Sequence, residues 1–187
     1  YYNKPTQEGL YRHYKVIAES VDFPEILYNI PGRTGVNMMP STVARLCGLQ
    51  SIVGIKEGSG SVQQASEIAQ TCGDRMTVLA GDDALTLPMM AVGGKGVISV
   101  TSNIVPSEMA QLVKAFLSGR IDEARRIHFA LSPLFTALFY ETNPIPVKTA
   151  MRLLARDSGV LRLPMCEPSK AGRDAIEKLL IANGLLK

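Results

Sequence analysis

The stretch SIVGIKEGSGSVQQASEIAQTCG, residues 51–73, contains a complete strand-and-helix unit. Its first part is a short apolar run, which predicts a buried strand over 52–56. Ser61 and Gln64 then match a capping box, which marks a helix start, and Gly73 is a typical helix end. A strand followed after a short loop by a helix is the repeating unit of α/β proteins with a parallel sheet.

The same alternation continues on both sides of this unit. Apolar runs bounded by turn residues predict three further strands, over 26–30, 76–81 and 96–101. Helical spacing of apolar residues predicts helices that alternate with them, over 7–20, 41–47 and 84–92. Asp83 is the expected N-cap of the last of these helices. Because the strands are apolar nearly throughout, we expect a sheet that is covered on both faces.

Beyond the fourth predicted strand, only helical spacing remains. Pro106 suits the first position of a helix that Gly119 ends, and a longer helix follows it. Two more helices are predicted near the end of the chain, over 146–157 and 169–183. The sequence thus predicts a sheet-containing part over residues 1–105 and a helical part over residues 106–187.

The composition excludes several classes of protein. Apolar residues make up 46% and charged residues 20% of the 187 residues, as in a folded globular chain and unlike a disordered one. Lys and Arg total 20 against 17 Asp and Glu, and the net charge of +3 is too small for a nucleic-acid-binding surface. No apolar run reaches the ~20 residues of a membrane span, and no signal peptide is visible.

The metal-binding residue types show no ligand spacing. Cys47, Cys72 and Cys166 are far apart, which fits neither a disulfide framework nor a zinc site and favours free thiols in a reducing compartment. His13 and His128 are isolated as well. We therefore expect no metal, no nucleic-acid or membrane partner, and a cytoplasmic location.

Lys56 is the most informative residue, because it ends a predicted strand. Ligands of parallel-sheet proteins bind at the carboxyl ends of the strands. Alternation along the strand places Gly54 and Lys56 on one face, where a lysine is desolvated and its neutral amine can form a Schiff base with a carbonyl compound. The alternative is a lysine that extends to solvent or pairs with Glu57.

Two more side chains follow the preceding strand. Tyr28 alternates with Ile26 and Ile30, so it points to one face and could transfer protons near the amine, or it could be an ordinary packed tyrosine. Arg33 comes after Pro31-Gly32 in a predicted turn, where it suits carboxylate binding, or it could be a solvated loop residue.

Several segments together resemble one known family. They are YYNKPTQEGLYRHY (1–14), ILYNIPGRTG (26–35), IVGIKEGSG (52–60), LAGDD (79–83), GGKGVISVTSN (93–103) and NPIPVK (143–148). In combination they resemble the Schiff-base lyases of the dihydrodipicolinate synthase and N-acetylneuraminate lyase family over essentially the whole chain. The PGRT stretch, residues 31–34, distinguishes this sequence from the members that act on sialic acid.

The resemblance implies roles for individual residues. Lys56 matches the lysine that forms the imine with pyruvate, and Tyr28 matches the tyrosine that relays protons there. Tyr2 matches the tyrosine that reaches across a dimer interface into the neighbouring site. The remaining matches concern substrate binding and the dimer interface: Arg33 for the carboxylate of the second substrate, Gly81 and Ile98 for the pyruvate pocket, and Tyr1 for the interface near a lysine-feedback site.

The resemblance also implies an activity. The family reaction joins pyruvate to L-aspartate 4-semialdehyde and yields 4-hydroxy-tetrahydrodipicolinate, for lysine and diaminopimelate biosynthesis. It proceeds through the imine on Lys56 and implies no cofactor. The implied assembly is a homo-oligomer, a dimer of dimers.

The family fold is a (β/α)8 barrel of about 250 residues with a helical extension. Only four strands are predicted here, so the resemblance implies the C-terminal half of a TIM barrel plus its C-terminal helical extension, without the strand that carries a pyruvate-binding threonine pair. Two alternatives remain open. One is a related lyase acting on a sugar acid, and the other is a non-catalytic fragment that assembles with a missing half or with other copies.

Overall fold

The computed structural model describes residues 2–186. Within them the strands are β1 (Glu25–Asn29), β2 (Ile52–Glu57), β3 (Thr77–Ala80) and β4 (Gly96–Val97). The α-helices are α1 (Gln7–Ser20), α2 (Pro31–Thr34), α3 (Pro40–Leu46), α4 (Val62–Cys72), α5 (Thr86–Ala91), α6 (Pro106–Leu117), α7 (Ile121–Ala137), α8 (Ile145–Leu153) and α9 (Lys170–Ala182). The chain divides into two compact units, the first ending at Ile98 and the second beginning at Ser99.

The first unit is an α/β structure, as the alternating pattern predicts. Its four strands form one sheet in the order β1-β2-β3-β4, and each pair of neighbours is parallel. Strands β1 and β4 therefore form the two edges of the sheet. Because all four strands run in the same direction, their carboxyl ends lie along one side of the sheet.

Two local predictions need correction. The fourth strand was expected over 96–101 but is confined to Gly96–Val97, because Ser99 accepts a hydrogen bond from the backbone N–H of Ser102 and turns the chain away. Asp82, not Asp83, caps the turn before α5, since its Oδ1 accepts from the N–H of Ala84 at 2.9 Å. Asp83 is instead buried.

The two faces of the sheet differ in their surroundings. One face, which includes Leu27, Ile55 and Val78, is buried against the helices of the first unit. The residues that alternate with them point the other way, and Ile26 and Thr77 on that face are exposed. The expectation of a sheet covered on both faces is therefore wrong for this chain, and the second face is accessible to solvent.

The covering helices are built from amphipathic segments with clear starts. Helix α1 begins after Thr6, whose side chain accepts from the N–H of Gly9, and it packs Leu10 and Tyr14 against the core. Helix α4 begins after Ser61, whose hydroxyl accepts from the N–H of Gln64 at 3.1 Å. The core of this unit also contains Val43, Leu46, Ile52, Ala65, Ile68 and Met89.

The second unit is helical and contains α6 to α9. Its buried residues include Leu112, Ala150 and Leu180, and along α7 the buried residues Ala124, Ile127, Leu131 and Leu134 recur at helical spacing. No helix among residues 2–186 is long and apolar enough to cross a membrane.

Candidate functional site

The two residues that the sequence singled out lie side by side at the carboxyl ends of neighbouring strands. Tyr28 of β1 is paired in register with Lys56 of β2. The Nζ atom of Lys56 lies 4.1 Å from the centroid of the Tyr28 ring. This is a cation–π distance, so the ring contacts the Lys56 side chain and helps to hold its position.

Both side chains are accessible. Tyr28 is 40% exposed, and Lys56 is partly exposed on the same open face of the sheet. The prediction that they share a face is confirmed. The alternative pairing of Lys56 with Glu57 is wrong, because Glu57 points to the buried face and no ion pair joins the two in the described residues.

The turn after β2 presses against the tyrosine ring. A methyl group on Gly58 would lie 3.2 Å from Cε2 of Tyr28 and 2.9 Å from the carbonyl oxygen of Asn29. Only glycine allows this close approach of the backbone. The ring of Tyr28 thus lies close to both the Lys56 amine and the turn at Gly58.

Two other predicted site residues follow the next two strands of the sheet. Gly81 directly follows β3, and its N–H donates to the carbonyl oxygen of Glu57 at 2.8 Å. Ile98 follows β4, donates from its N–H to Ala80 and exposes 39% of its surface. Both residues therefore lie at the carboxyl ends of the strands, the same end of the sheet at which Lys56 lies.

Two described residues are more peripheral. Arg33 is exposed and belongs to the short helix α2, not to a turn, directly after β1. Tyr2 is 94% exposed, so it packs against little of its own chain. Tyr1 lies outside the described residues.

Sequence reasoning missed a buried carboxylate on the face of the sheet opposite to Tyr28 and Lys56. Glu57 is fully buried and accepts hydrogen bonds from Asn29 Nδ2 at 3.3 and 3.0 Å, from Gln64 Nε2 at 3.0 Å and from the Ser59 N–H at 2.6 Å. Asn29 and Glu57 are paired in register, one position beyond Tyr28 and Lys56. Two polar residues at equivalent buried positions of adjacent strands are the signal that could have indicated them.

Gln64 has a different role from the one expected. The capping box predicts that its side chain returns to the start of α4, but its Nε2 donates to Glu57, and the N–H of Ser61 donates to Ser59 Oγ at 3.2 Å. Asn37 joins the cluster by donating to Gln64 Oε1 at 2.9 Å. The prediction that Ser61 caps α4 is correct, but the side chain of Gln64 hydrogen-bonds within the buried cluster and not to the start of the helix.

The cysteines form no part of this site. Cys47 and Cys72 are buried free thiols, and Cys166 is an exposed one. Burial, and secondarily a hydrogen bond with Cys47, raises the pKa of Cys72 to about 12, so this thiol is protonated at neutral pH. Among residues 2–186, no three His, Cys, Asp or Glu side chains are grouped as metal ligands.

The close packing of Gly81 leads to a stability prediction. A methyl group there would lie 2.9 Å from both the carbonyl oxygen of Glu57 and the Cα of Gly58, which are backbone atoms that cannot easily move. We expect Gly81→Ala to lower the free energy of unfolding by about 1–3 kcal/mol, measured by urea denaturation. Gly32→Ala is the matched control, because a methyl group at Gly32 meets nothing within 4 Å. Equal midpoints for the two variants would contradict the prediction.

The arrangement has a definite chemical capability. A primary amine can attack a carbonyl carbon, and an adjacent phenol can donate or accept the protons that such an addition moves. Both groups reach solvent on the open face of the sheet, so a small carbonyl compound can approach them.

Comparison with known proteins yields one family. A sequence model described as the dihydrodipicolinate synthetase family matches residues 1–183. The 4-hydroxy-tetrahydrodipicolinate synthase of Pelobacter propionicus is 55% identical over 186 residues, which are 100% of this chain and 64% of that protein. The chain therefore spans just under two thirds of the length of this curated relative.

Solved structures agree with this result. The crystal structure of dihydrodipicolinate synthase from Aquifex aeolicus superposes with a TM-score of 0.97 at 47% identity, covering 99% of this chain and 64% of that one. A chloride-inhibited dihydrodipicolinate synthase from Acinetobacter baumannii, complexed with pyruvate, matches with a TM-score of 0.96 at 39% identity over 100% of this chain and 64% of its own. The expected fold, part of a TIM barrel with additional helices, is confirmed.

Proposed function

Because the chain belongs to the dihydrodipicolinate synthetase family, we propose that it supplies the imine-forming part of a lyase that condenses pyruvate with L-aspartate 4-semialdehyde. The product of this condensation is 4-hydroxy-tetrahydrodipicolinate. The observation that carries the proposal is the contact between the Lys56 amine and the Tyr28 ring, 4.1 Å apart at the carboxyl ends of adjacent strands. The pyruvate complex of the Acinetobacter baumannii relative supports the choice of first substrate.

The proposed reaction begins at Lys56. Its neutral amine adds to the ketone of pyruvate, and loss of water gives an imine. The imine withdraws electrons from the neighbouring methyl group, which loses a proton and becomes an enamine. Tyr28 is the proposed proton carrier for these steps, because its ring lies against the amine and its hydroxyl can donate or accept.

The enamine carbon then attacks the aldehyde of the semialdehyde and forms a carbon–carbon bond. The amino group of the second substrate next attacks the imine carbon, closes the ring and releases Lys56 as a free amine. In this scheme the imine itself is the electron sink, so we propose that no metal or organic cofactor takes part.

The remaining residues are assigned to binding. Exposed Arg33, directly after β1, is proposed to bind the carboxylate of the semialdehyde, since a guanidinium binds a carboxylate through two parallel hydrogen bonds. Gly81 and Ile98 are proposed to line the space for pyruvate beside Lys56. Tyr2, which is almost fully exposed in its own chain, is proposed to reach the site of a second copy in a homo-oligomer, with Tyr1 at the same interface.

Reductive trapping tests the proposal. The protein is incubated with pyruvate and borohydride, and peptides are analysed by mass spectrometry. We expect one reduced pyruvate adduct, on Lys56, and none on the exposed Lys95, which serves as the internal control. Absence of an adduct on Lys56 in folded protein would contradict the proposed chemistry. An adduct combined with sugar-acid cleavage, but no turnover of the semialdehyde, would favour the related sugar-acid lyase.

A second candidate follows from the open face of the sheet. Ile26 and Tyr28 are exposed there, and β1 is an edge strand that can pair with further strands. On this alternative the chain acts only after assembly with additional strands or with other copies. Performing the trapping reaction on separate size-exclusion fractions distinguishes the two, because an adduct that forms equally well in the monomer fraction excludes an assembly requirement.

A further inference from the structure

We infer that Glu57 is a positioning residue for the Schiff-base lysine, acting through its hydrogen bonds with Asn29, Gln64 and the N–H of Ser59. The inference rests on the proposed function, and it assigns a purpose to a buried carboxylate that takes no part in the chemistry described above. Glu57 cannot touch a substrate on the open face, because its side chain lies on the opposite face of the sheet and is fully buried.

The placement of this carboxylate is costly unless it is fully hydrogen-bonded. A buried charge requires either an opposite charge or several donors. Among the described residues, Glu57 has donors from β1, from α4 and from the turn after β2, and no ion-pair partner. Its carboxylate therefore joins three separate segments behind the site.

Those segments are the ones that hold the reacting pair. Asn29 directly follows Tyr28, and Glu57 directly follows Lys56, so the hydrogen bond between their side chains fixes the two strand ends that carry the pair. The bond from the Ser59 N–H fixes the turn in which Gly58 contacts the Tyr28 ring. Movement of Glu57 would thus displace both the strand ends that carry the pair and the turn that contacts the Tyr28 ring.

Position 57 requires a group that only accepts hydrogen bonds. The Oδ1 atom of Asn29 accepts from the backbone N–H of Met38 at 2.9 Å, which forces its Nδ2 toward Glu57. Gln64 also presents its Nε2, at 3.0 Å. A glutamine at position 57 would have one oxygen for the donors that now occupy two, and its own NH2 would face another donor.

A pair of variants tests the inference. Glu57→Gln places a donor against donors, whereas the double variant Glu57→Gln with Gln64→Glu restores an acceptor across the same contact. In the exchanged pair, the remaining oxygen of position 57 can keep the bonds from the Ser59 N–H and, at 3.3 Å, from Asn29 Nδ2, and position 64 can still accept the bond that Asn37 donates. Glu67→Gln, the same chemical change at an exposed position of α4, is the matched control.

The first measurement does not depend on pyruvate. We expect the Tyr28 ring current to shift the ε-methylene protons of Lys56 upfield in the NMR spectrum, because the amine lies over the ring. We expect this shift to be lost in Glu57→Gln, restored in the double variant and unchanged in Glu67→Gln. The methyl resonances of the core residues Ile68 and Val78 report whether each variant is folded. A folded Glu57→Gln variant that keeps the shift would overturn the inference.

The second measurement is the rate of reductive trapping by pyruvate, expressed per folded molecule. We expect the maximal rate to fall about 10- to 100-fold in Glu57→Gln, to recover in the double variant, and to leave the half-saturating pyruvate concentration nearly unchanged. An unchanged maximal rate would overturn the positioning role even if stability fell. Failure of the unsubstituted protein to form the adduct would contradict the proposed function, whereas the NMR shift would still report the geometry.

Discussion

Lys56→Arg is expected to abolish the pyruvate adduct and to reduce condensation on the order of 10⁴- to 10⁶-fold, the size of effect seen when a covalent nucleophile is removed. Arginine retains the positive charge, and it can retain the cation–π contact with Tyr28, which Lys56 makes at 4.1 Å. A guanidinium remains protonated and cannot form the imine. The variant therefore removes the nucleophile while keeping the local charge.

The measurement combines adduct mass with the rate of semialdehyde consumption. Lys95→Arg is the control, because Lys95 is exposed in the same unit and directly precedes β4, away from the carboxyl ends of the strands. We expect this control to behave like the unsubstituted protein. If Lys56→Arg retained either the adduct or more than about a thousandth of the activity, another residue would have to be the nucleophile.

The central pair could be predicted from the sequence because it depends on short-range order. Alternation along a strand determines the face of Tyr28 and of Lys56, and parallel strands bring their carboxyl ends together. The structure agrees, since the two residues are paired in register. Roles at individual positions came from the resemblance to a family, and they remain proposals.

The buried cluster could not be predicted in the same way. Asn29 and Glu57 are separated by 28 residues, and Asn29 is oriented by Met38, nine residues away in another segment. Local sequence patterns contain no information on such long-range contacts. Gln64, for example, matches a capping box, but its side chain donates a hydrogen bond to Glu57. A polar residue on a buried strand face is the one local signal, because it must find partners on folding.

The predicted length of β4 is wrong for a related reason. The run Gly96 to Thr101 has the composition of a buried strand, and its apolar residues predict no end before Thr101. The end is set by Ser99, whose side chain accepts from the N–H of Ser102 at 2.8 Å and competes with strand pairing. Ser and Thr near the end of an apolar run therefore limit how far a strand can be predicted.

Tyr28→Phe is expected to separate imine formation from proton transfer. Phenylalanine keeps the ring beneath the Lys56 amine, so trapping of pyruvate should change little. It removes the hydroxyl that the proposed mechanism uses to move protons. Removal of a general acid–base group costs about 10²- to 10⁴-fold, and we expect a loss of that size in the step that removes a methyl proton from the imine.

Exchange of the pyruvate methyl protons with deuterium, followed by NMR, measures that step directly. Tyr11→Phe is the matched control, because the Tyr11 ring also lies beneath a cation, with the guanidinium carbon of Arg45 at 3.7 Å from its centroid, but belongs to α1 on the covered side of the sheet. We expect the control to exchange at the original rate. Normal exchange in Tyr28→Phe would assign the proton transfer to another group, and an equal loss of trapping and exchange would show that the hydroxyl acts at imine formation itself.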